Sequence, residues 1–270
     1  MKISIAVLRE KFYFRIPFYL LIALILLYTS GVLAMDKILF PGAEAVENRP
    51  PKAGNLTLSS GEAELDALFH CGKAGKPVIL YSHGNGEYLA RIMPLLKQFI
   101  ARGYTVMAYD YAGYGNSTGY PGEKQAYMDI EAAYTYLTEK KQIPEENIVV
   151  MGYSVGSGPS CYIAEKYPVK ALVIISGFAS AAQVLLPFSV PFDKFPNAER
   201  LKNCRVPLLI IHGRSDRIVP VRNGKKLFES STAPIREIHF ENAGHNDIFY
   251  RTVGFFSKLE KFLSRLPLKK

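Results

Sequence analysis

Ser154, Asp216 and His245 have the residue types and the chain order that acyl transfer requires. Ser154 is the centre of Gly152-Tyr153-Ser154-Val155-Gly156. A serine hydroxyl is a weak nucleophile at neutral pH and needs a base beside it. An imidazole titrates near pH ~6.5, so it can take the proton and return it, while a carboxylate holds the ring in the required tautomer. His245, in Ala243-Gly244-His245-Asn246-Asp247, is the candidate base, and Asp216, in Gly213-Arg214-Ser215-Asp216-Arg217, is the candidate orienting acid. Asp247 lies two residues from His245 and is expected to cap the helix that follows. The oxyanion formed on attack needs backbone N–H donors, each worth about 10²–10³ in rate. The N–H of Val155 is one candidate, and that of Asn85, in Ser82-His83-Gly84-Asn85-Gly86-Glu87, is the other. His83 is expected to brace this loop by hydrogen bonding. Tyr153 and Tyr114 are candidates to wall a substrate pocket, although the stretch 110–119 that holds Tyr114 reads equally well as packing. No paired Cys/His spacing suggests zinc, and no Gly-Lys-Ser/Thr follows Gly84-Asn85-Gly86, so no metal or other cofactor is implied.

These residues need elements that bring them to one place. Residues 148–151 form an apolar run, the pattern of a strand buried on both faces, and a helix is expected over 155–167. A strand, a sharp turn and a helix around G-x-S-x-G would lift the serine hydroxyl clear of a sheet edge. Further strands are expected at 78–82, 105–109, 171–175, 207–212 and 235–240, with helices at 89–102, 122–141, 221–231 and 248–265. Two antiparallel strands, 56–59 and 63–70, precede them. Such alternation predicts an α/β fold with a mostly parallel sheet covered on both faces. Ligands bind beyond the carboxyl ends of such strands. Asn85, Ser154, Asp216 and His245 each follow a strand, so all four fall on that one edge. Tyr127, Ile130, Tyr134 and Leu137 make a helical stripe and are expected in the core.

The chain carries a net charge of +9, of which residues 1–35 supply +3. The basic excess is spread along the chain, apart from Lys269-Lys270, and suits a solvated surface or an anionic lipid surface. No nucleic-acid motif accompanies it. Cys161 and Cys204 are expected as small buried apolar residues. Residues 16–35 are an uncharged run of about twenty, enough to cross a bilayer core as a helix. Lys2, Arg9, Lys11 and Arg15 before it predict a cytoplasmic N-terminus and an exported domain. Thr29-Ser30-Gly31-Val32-Leu33-Ala34 also resembles a cleavage region, which would release the domain near Ala34. The long charged segment ahead of the run favours a retained signal anchor. The expected organisation is an anchor over 1–35, a Pro-rich linker over 36–54 with a short strand at 38–40, and one domain over 55–270.

HGNG, YDYAGYGNSTG, GYSVG, HGRSDRIVP and AGHND together resemble the motif set of serine α/β-hydrolases. Residues 192–213, FDKFPNAERLKNCRVPLLIIHG, are similar to the small membrane-associated group that includes eukaryotic protein depalmitoylases. The resemblance covers about residues 55–266. It implies the α/β-hydrolase fold with an eight-stranded-type sheet, a Ser154-Asp216-His245 triad and cleavage of carboxylic esters or thioesters. The depalmitoylases carry a cysteine-rich lipidated tail where this chain has an apolar span, which implies a bacterial-type envelope relative. Only about 30 residues separate the strands at 171–175 and 207–212, too few for a large helical cap. A minimal lid leaves an open site suited to an acyl chain on a bulky or lipid-linked partner, with the membrane raising its local concentration. The rivals are a serine peptidase or amidase of the same fold and a catalytically silent binding module. Nothing in the sequence fixes the oligomeric state.

Overall fold

The computed structural model describes residues 5–41, 50–186, 190–191 and 193–266, with side chains left out at 5–17 and 32–34. Eight strands form one sheet: β1 (Leu56–Ser60), β2 (Ala63–His70), β3 (Val78–Ser82), β4 (Thr105–Tyr109), β5 (Ile148–Tyr153), β6 (Ala171–Ile175), β7 (Leu208–Gly213) and β8 (Arg236–Glu241). Their order across the sheet is β1-β2-β4-β3-β5-β6-β7-β8. β2 pairs antiparallel with β1 and β4, and all other pairings are parallel. β3 to β7 are buried at every residue, which is why they read as unbroken apolar runs.

Alternate strand residues serve opposite faces. Ile79, Val149, Val173 and Leu209 pack with residues of α2 (Leu89–Ala101) and α8 (Phe255–Ser264). Leu80, Val150, Leu172 and Ile210 pack with α3 (Glu123–Thr135), α4 (Ser157–Lys166), α5 (Asn197–Asn203) and α6 (Arg222–Ser230). Cys161 and Cys204 are buried free thiols on this second side. The helix expected over 122–141 ends in a wider π turn, Tyr136–Lys140. The one expected over 248–265 is split into α7 (Ile248–Arg251) and α8, because Gly254 adopts φ +65° and redirects the chain.

α1 (Ile5–Leu39) is, among the described residues, the one helix long and apolar enough to cross a membrane, over Phe18–Leu39 with mean hydropathy 2.2. At 1.5 Å per residue that stretch spans about 33 Å, against about 30 Å for a hydrocarbon core. The strand expected at 38–40 is absent: the apolar sequence simply prolongs α1 to Leu39, and Leu39 and Phe40 enter the core. The start of the expected linker is therefore ordered, and residues 42–49 lie outside the described ones.

Candidate active site

β5 hands the chain through a one-turn helix, Ser154–Gly156, directly into α4. Ser154 takes φ +53°, a left-handed conformation that costs a non-glycine residue about 1–3 kcal/mol and must be held by its surroundings. Lack of space explains the flanking glycines. A Cβ on Gly152 would lie 2.3 Å from the Gly156 carbonyl oxygen, and one on Gly156 would lie 2.1 Å from that of Ser82. The Ser157 hydroxyl donates to the Ser154 carbonyl at 2.7 Å and pins the turn.

The loops after β7 and β8 bring the other two residues to the serine. His245 Nε2 is 3.0 Å from Ser154 Oγ, and His245 Nδ1 is 2.8 Å from Asp216 Oδ2. The other Asp216 oxygen accepts the N–H groups of Ile218 and Val219 at 3.0 and 2.8 Å. Burial by itself would push the Asp216 carboxyl up, but the hydrogen bond and charge of His245 and the Val219 N–H outweigh it and hold the group below the usual range. Asp216 is thus a carboxylate at neutral pH and can only accept. The His245 proton then resides on Nδ1, leaving Nε2 to accept from the serine hydroxyl. The Tyr153 hydroxyl donates to the His245 carbonyl at 3.1 Å, and its ring lies 5.2 Å from the imidazole. Ser154 and His245 line a cavity of about 530 Å³, so the hydroxyl is reachable although its residue is only 7% exposed.

The turn after β3 faces Ser154 across this cavity. The Gly84 N–H donates to Glu87 Oε2 at 2.8 Å, and the Glu87 N–H donates to the Gly84 carbonyl at 3.2 Å. His83 Nδ1 donates to the same carbonyl at 2.7 Å, and Arg91 Nη1 donates to the Gly86 carbonyl at 3.0 Å. Burial lowers the His83 pKa to about 4, so the ring braces the loop as a neutral donor. Asn85, at the tip of this turn, lines the cavity with Ser154. Val155 lies in the first turn of the helix, where N–H groups have no carbonyl one turn back. Asn85 thus borders the same cavity as Ser154, and Val155 directly follows the serine.

The two tyrosines part company. Tyr153 lines the cavity. Tyr114 does not. It is buried against Phe40, His83 and Tyr111, because left-handed turns at Gly113 and Gly115 fold its loop back on the core. Asp247 stands at the start of α7, but its side chain turns back to accept the Gly244 N–H at 2.6 Å. It closes the turn that carries His245 instead of capping α7. Among the described residues no group of three or more His, Cys, Asp or Glu side chains is placed to hold a metal ion.

Alpha/beta hydrolase domain-containing protein 17B of Homo sapiens is 34% identical to this chain over 216 residues, covering 78% of this chain and 74% of that protein. The chain belongs to the serine α/β-hydrolase superfamily. The 17B protein of Xenopus laevis is 35% identical to this hydrolase over 198 residues, 72% of the hydrolase and 69% of that protein. A family model described as serine aminopeptidase, S33, matches residues 73–195 of the hydrolase. Among solved structures, an esterase of Pyrococcus furiosus superposes with a TM-score of 0.66 at 19% identity, covering 81% of the hydrolase and 99% of that chain. An α/β-hydrolase of Vibrio vulnificus superposes with a TM-score of 0.65 at 21% identity, covering 81% and 83%. Likeness at this level of identity shows the shared fold.

Two acids of the hydrolase's site had no role in the sequence reading. Glu87 forms the turn beside Asn85, and burial pushes its carboxyl up while the Gly84 N–H, Arg91 and His245 pull it down. Asp110, after β4, accepts the Leu89 N–H at 2.6 Å and so fixes the start of α2 behind the Asn85 turn. Burial raises its pKa to about 7. The available signal for Glu87 was an acid one residue after Gly84-Asn85-Gly86, placed to close the turn.

Proposed function

We propose that the protein is a membrane-anchored serine hydrolase that cleaves carboxylic esters or thioesters through an acyl-Ser154 intermediate. The observation that carries this reading is the hydrogen-bonded chain Ser154–His245–Asp216, with links of 3.0 and 2.8 Å, at the floor of an open cavity. His245 Nε2 takes the hydroxyl proton as Ser154 Oγ adds to the acyl carbon. The imidazolium is stabilised by the Asp216 carboxylate, and the N–H groups of Asn85 and Val155 receive the negative oxygen. Collapse expels the alcohol or thiol, which takes the proton from His245, and water then repeats the sequence to free the acid. Tyr153 shapes the cavity beside the leaving group.

α1 holds this domain at a membrane as a signal anchor, with the basic N-terminus in the cytoplasm and the domain exported. Cleavage near Ala34 would instead release it. Amide cleavage is supported by the aminopeptidase description of the matching family model. It is the weaker reading, because the half-buried carboxylate lining the cavity, Glu87, is already committed to the Gly84 N–H. The test is turnover of p-nitrophenyl acyl esters, acyl thioesters and aminoacyl p-nitroanilides by the purified full chain. Ester or thioester turnover should fall about 10⁴-fold or more in Ser154→Ala. Turnover of the anilides alone, or none that Ser154→Ala removes, would overturn the reading.

A further inference from the structure

α1 ends among loops that follow the carboxyl ends of the strands. Phe40, at its end, packs on Tyr111 and Tyr114 from the loop after β4 and on Phe195 from the segment after β6, with ring centroids 6.1, 6.3 and 6.1 Å away. Asp36, one turn earlier, pairs with Lys194 and lies 3.8 Å from the space over Gly122. Tyr28 and Asp36 border a second cavity together with Gly122, Met128 and Lys194. The anchor therefore has no slack. Asp36 to Phe40 is about 6 Å of helix, comparable to the depth of one headgroup layer.

The exposed apolar side chains are gathered on the same edge. Among the described residues beyond α1, seven large apolar or tyrosyl side chains are exposed, and six of them lie in segments that follow the carboxyl ends of strands. Tyr120, 89% exposed, follows β4 two residues from Gly122 and so stands beside the anchor. Leu185 and Leu186 follow β6, in a segment tied to Asp193 and Lys194 by the N–H groups of Ala182 and Ala181. Ile218 and Tyr250 follow β7 and β8 and line the cavity. Val253 completes the set. The seventh, Met128, borders the cavity shared with α1. Arg217, exposed, adjoins Ile218 and adds positive charge, while Arg251, exposed beside Tyr250, pairs with Asp247 at 3.5 Å.

We propose that this carboxyl-end rim is a lipid-docking surface: the bilayer that holds α1 also lies across the mouth of the Ser154 cavity. The occupant is the headgroup layer of an anionic bilayer, into which Tyr120, Leu185 and Leu186 insert beside the anchor and Ile218 and Tyr250 farther along. The substrate class follows from the placement: an acyl ester or thioester whose acyl chain lies in that leaflet and enters from the lipid side. The proposal rests on the membrane-anchored reading above and adds the orientation of the domain.

The experiment uses the full chain in vesicles of phosphatidylcholine with phosphatidylglycerol. Cys71, an exposed native thiol, follows β2 on the opposite edge, about 17–20 Å away across the sheet, and serves as the control. An environment-sensitive fluorophore is placed on Cys71 in the wild type, and on Tyr120→Cys or Leu185→Cys in a Cys71→Ser background. Labels at 120 and 185 should shift to the blue and be quenched by lipids carrying nitroxides near the headgroup, while the label at 71 stays aqueous. Equal, aqueous behaviour at all three would overturn the proposal. In a second arm, Tyr120→Glu with Leu185→Glu should reduce turnover of a vesicle-embedded acyl ester at least about tenfold and leave turnover of a water-soluble ester unchanged. Equal effects on both substrates, or on neither, would also overturn it. Loss of ester turnover in the wild type would instead strike the hydrolase reading, so the two failures are distinguishable.

Discussion

Replacing Asp216 by asparagine changes one atom's chemistry and leaves the shape. Oδ1 of Asp216 accepts two backbone N–H groups at 3.0 and 2.8 Å, and Oδ2 accepts from His245 at 2.8 Å. An asparagine keeps those backbone bonds only by directing its oxygen at Ile218 and Val219. Its NH₂ then faces His245 Nδ1, which must accept. The imidazole proton moves to Nε2 and points at Ser154 Oγ, so the base is lost. The reverse amide orientation would leave the buried Val219 N–H and the half-buried Ile218 N–H facing a donor, at about 1–3 kcal/mol for the buried one. The expected outcome for Asp216→Asn is a fall of about 10⁴-fold in kcat, as in other Ser-His-Asp enzymes, equivalent to about 5.4 kcal/mol of barrier. Its melting temperature should remain near that of the wild type. Asp216→Ala should lose both activity and stability, because the two N–H groups then have no acceptor. The assay is p-nitrophenyl ester turnover beside thermal unfolding. A loss of less than about tenfold in the asparagine variant, with the fold intact, would refute the assignment of Asp216 as the group that sets the tautomer.

Tyr114→Ala should cost about 3–5 kcal/mol of stability as a large core truncation. Its KM profile across acyl lengths should not change, and a selective change in KM for one acyl length would return Tyr114 to the pocket wall. The buried pair His83 and Asp110 should pull stability in opposite directions with pH. His83, lowered to about 4, is charged only in the unfolded chain between pH 4 and 6.5, so its contribution grows as pH rises through that window. Asp110, raised to about 7, holds its proton in the folded state above its ordinary value, so its contribution is present at low pH and lost as pH rises toward 7. Asp110→Asn keeps an acceptor for the Leu89 N–H and removes the second titration. Between pH 4 and 6.5 the slope of its unfolding free energy should be more positive than that of the wild type by up to about 1.4 kcal/mol per pH unit. Identical slopes in denaturant titrations across that range would contradict the burial of Asp110.

The parallel strands were legible because each is buried on both faces and so is spelled as an apolar run. β5 differed by extending to Tyr153, since Gly152 and Tyr153 still pair with β6 before the turn begins. The grouping of Asn85, Ser154 and His245 around one cavity followed from their positions just after strands. What the sequence hid depends on tertiary placement. α5 is seven residues long, too short for helical periodicity to register. The break at Gly254 is a single backbone conformation inside an otherwise periodic segment. Tyr114 sits in a glycine-rich loop that could fold outward or inward, and its packing on Phe40, His83 and Tyr111 is a tertiary choice. Asp247 and Glu87 bond within their own turns, a local choice that residue type alone leaves open.

The central claim is that Ser154 is a nucleophile activated in place by His245. It is tested most directly by treating the folded full chain with a fluorophosphonate probe and mapping the modified peptide by mass spectrometry. One adduct is expected, on Ser154, and its formation should slow by orders of magnitude in His245→Ala and stop in Ser154→Ala. A folded protein that takes no label, or is labelled at another residue, would contradict it.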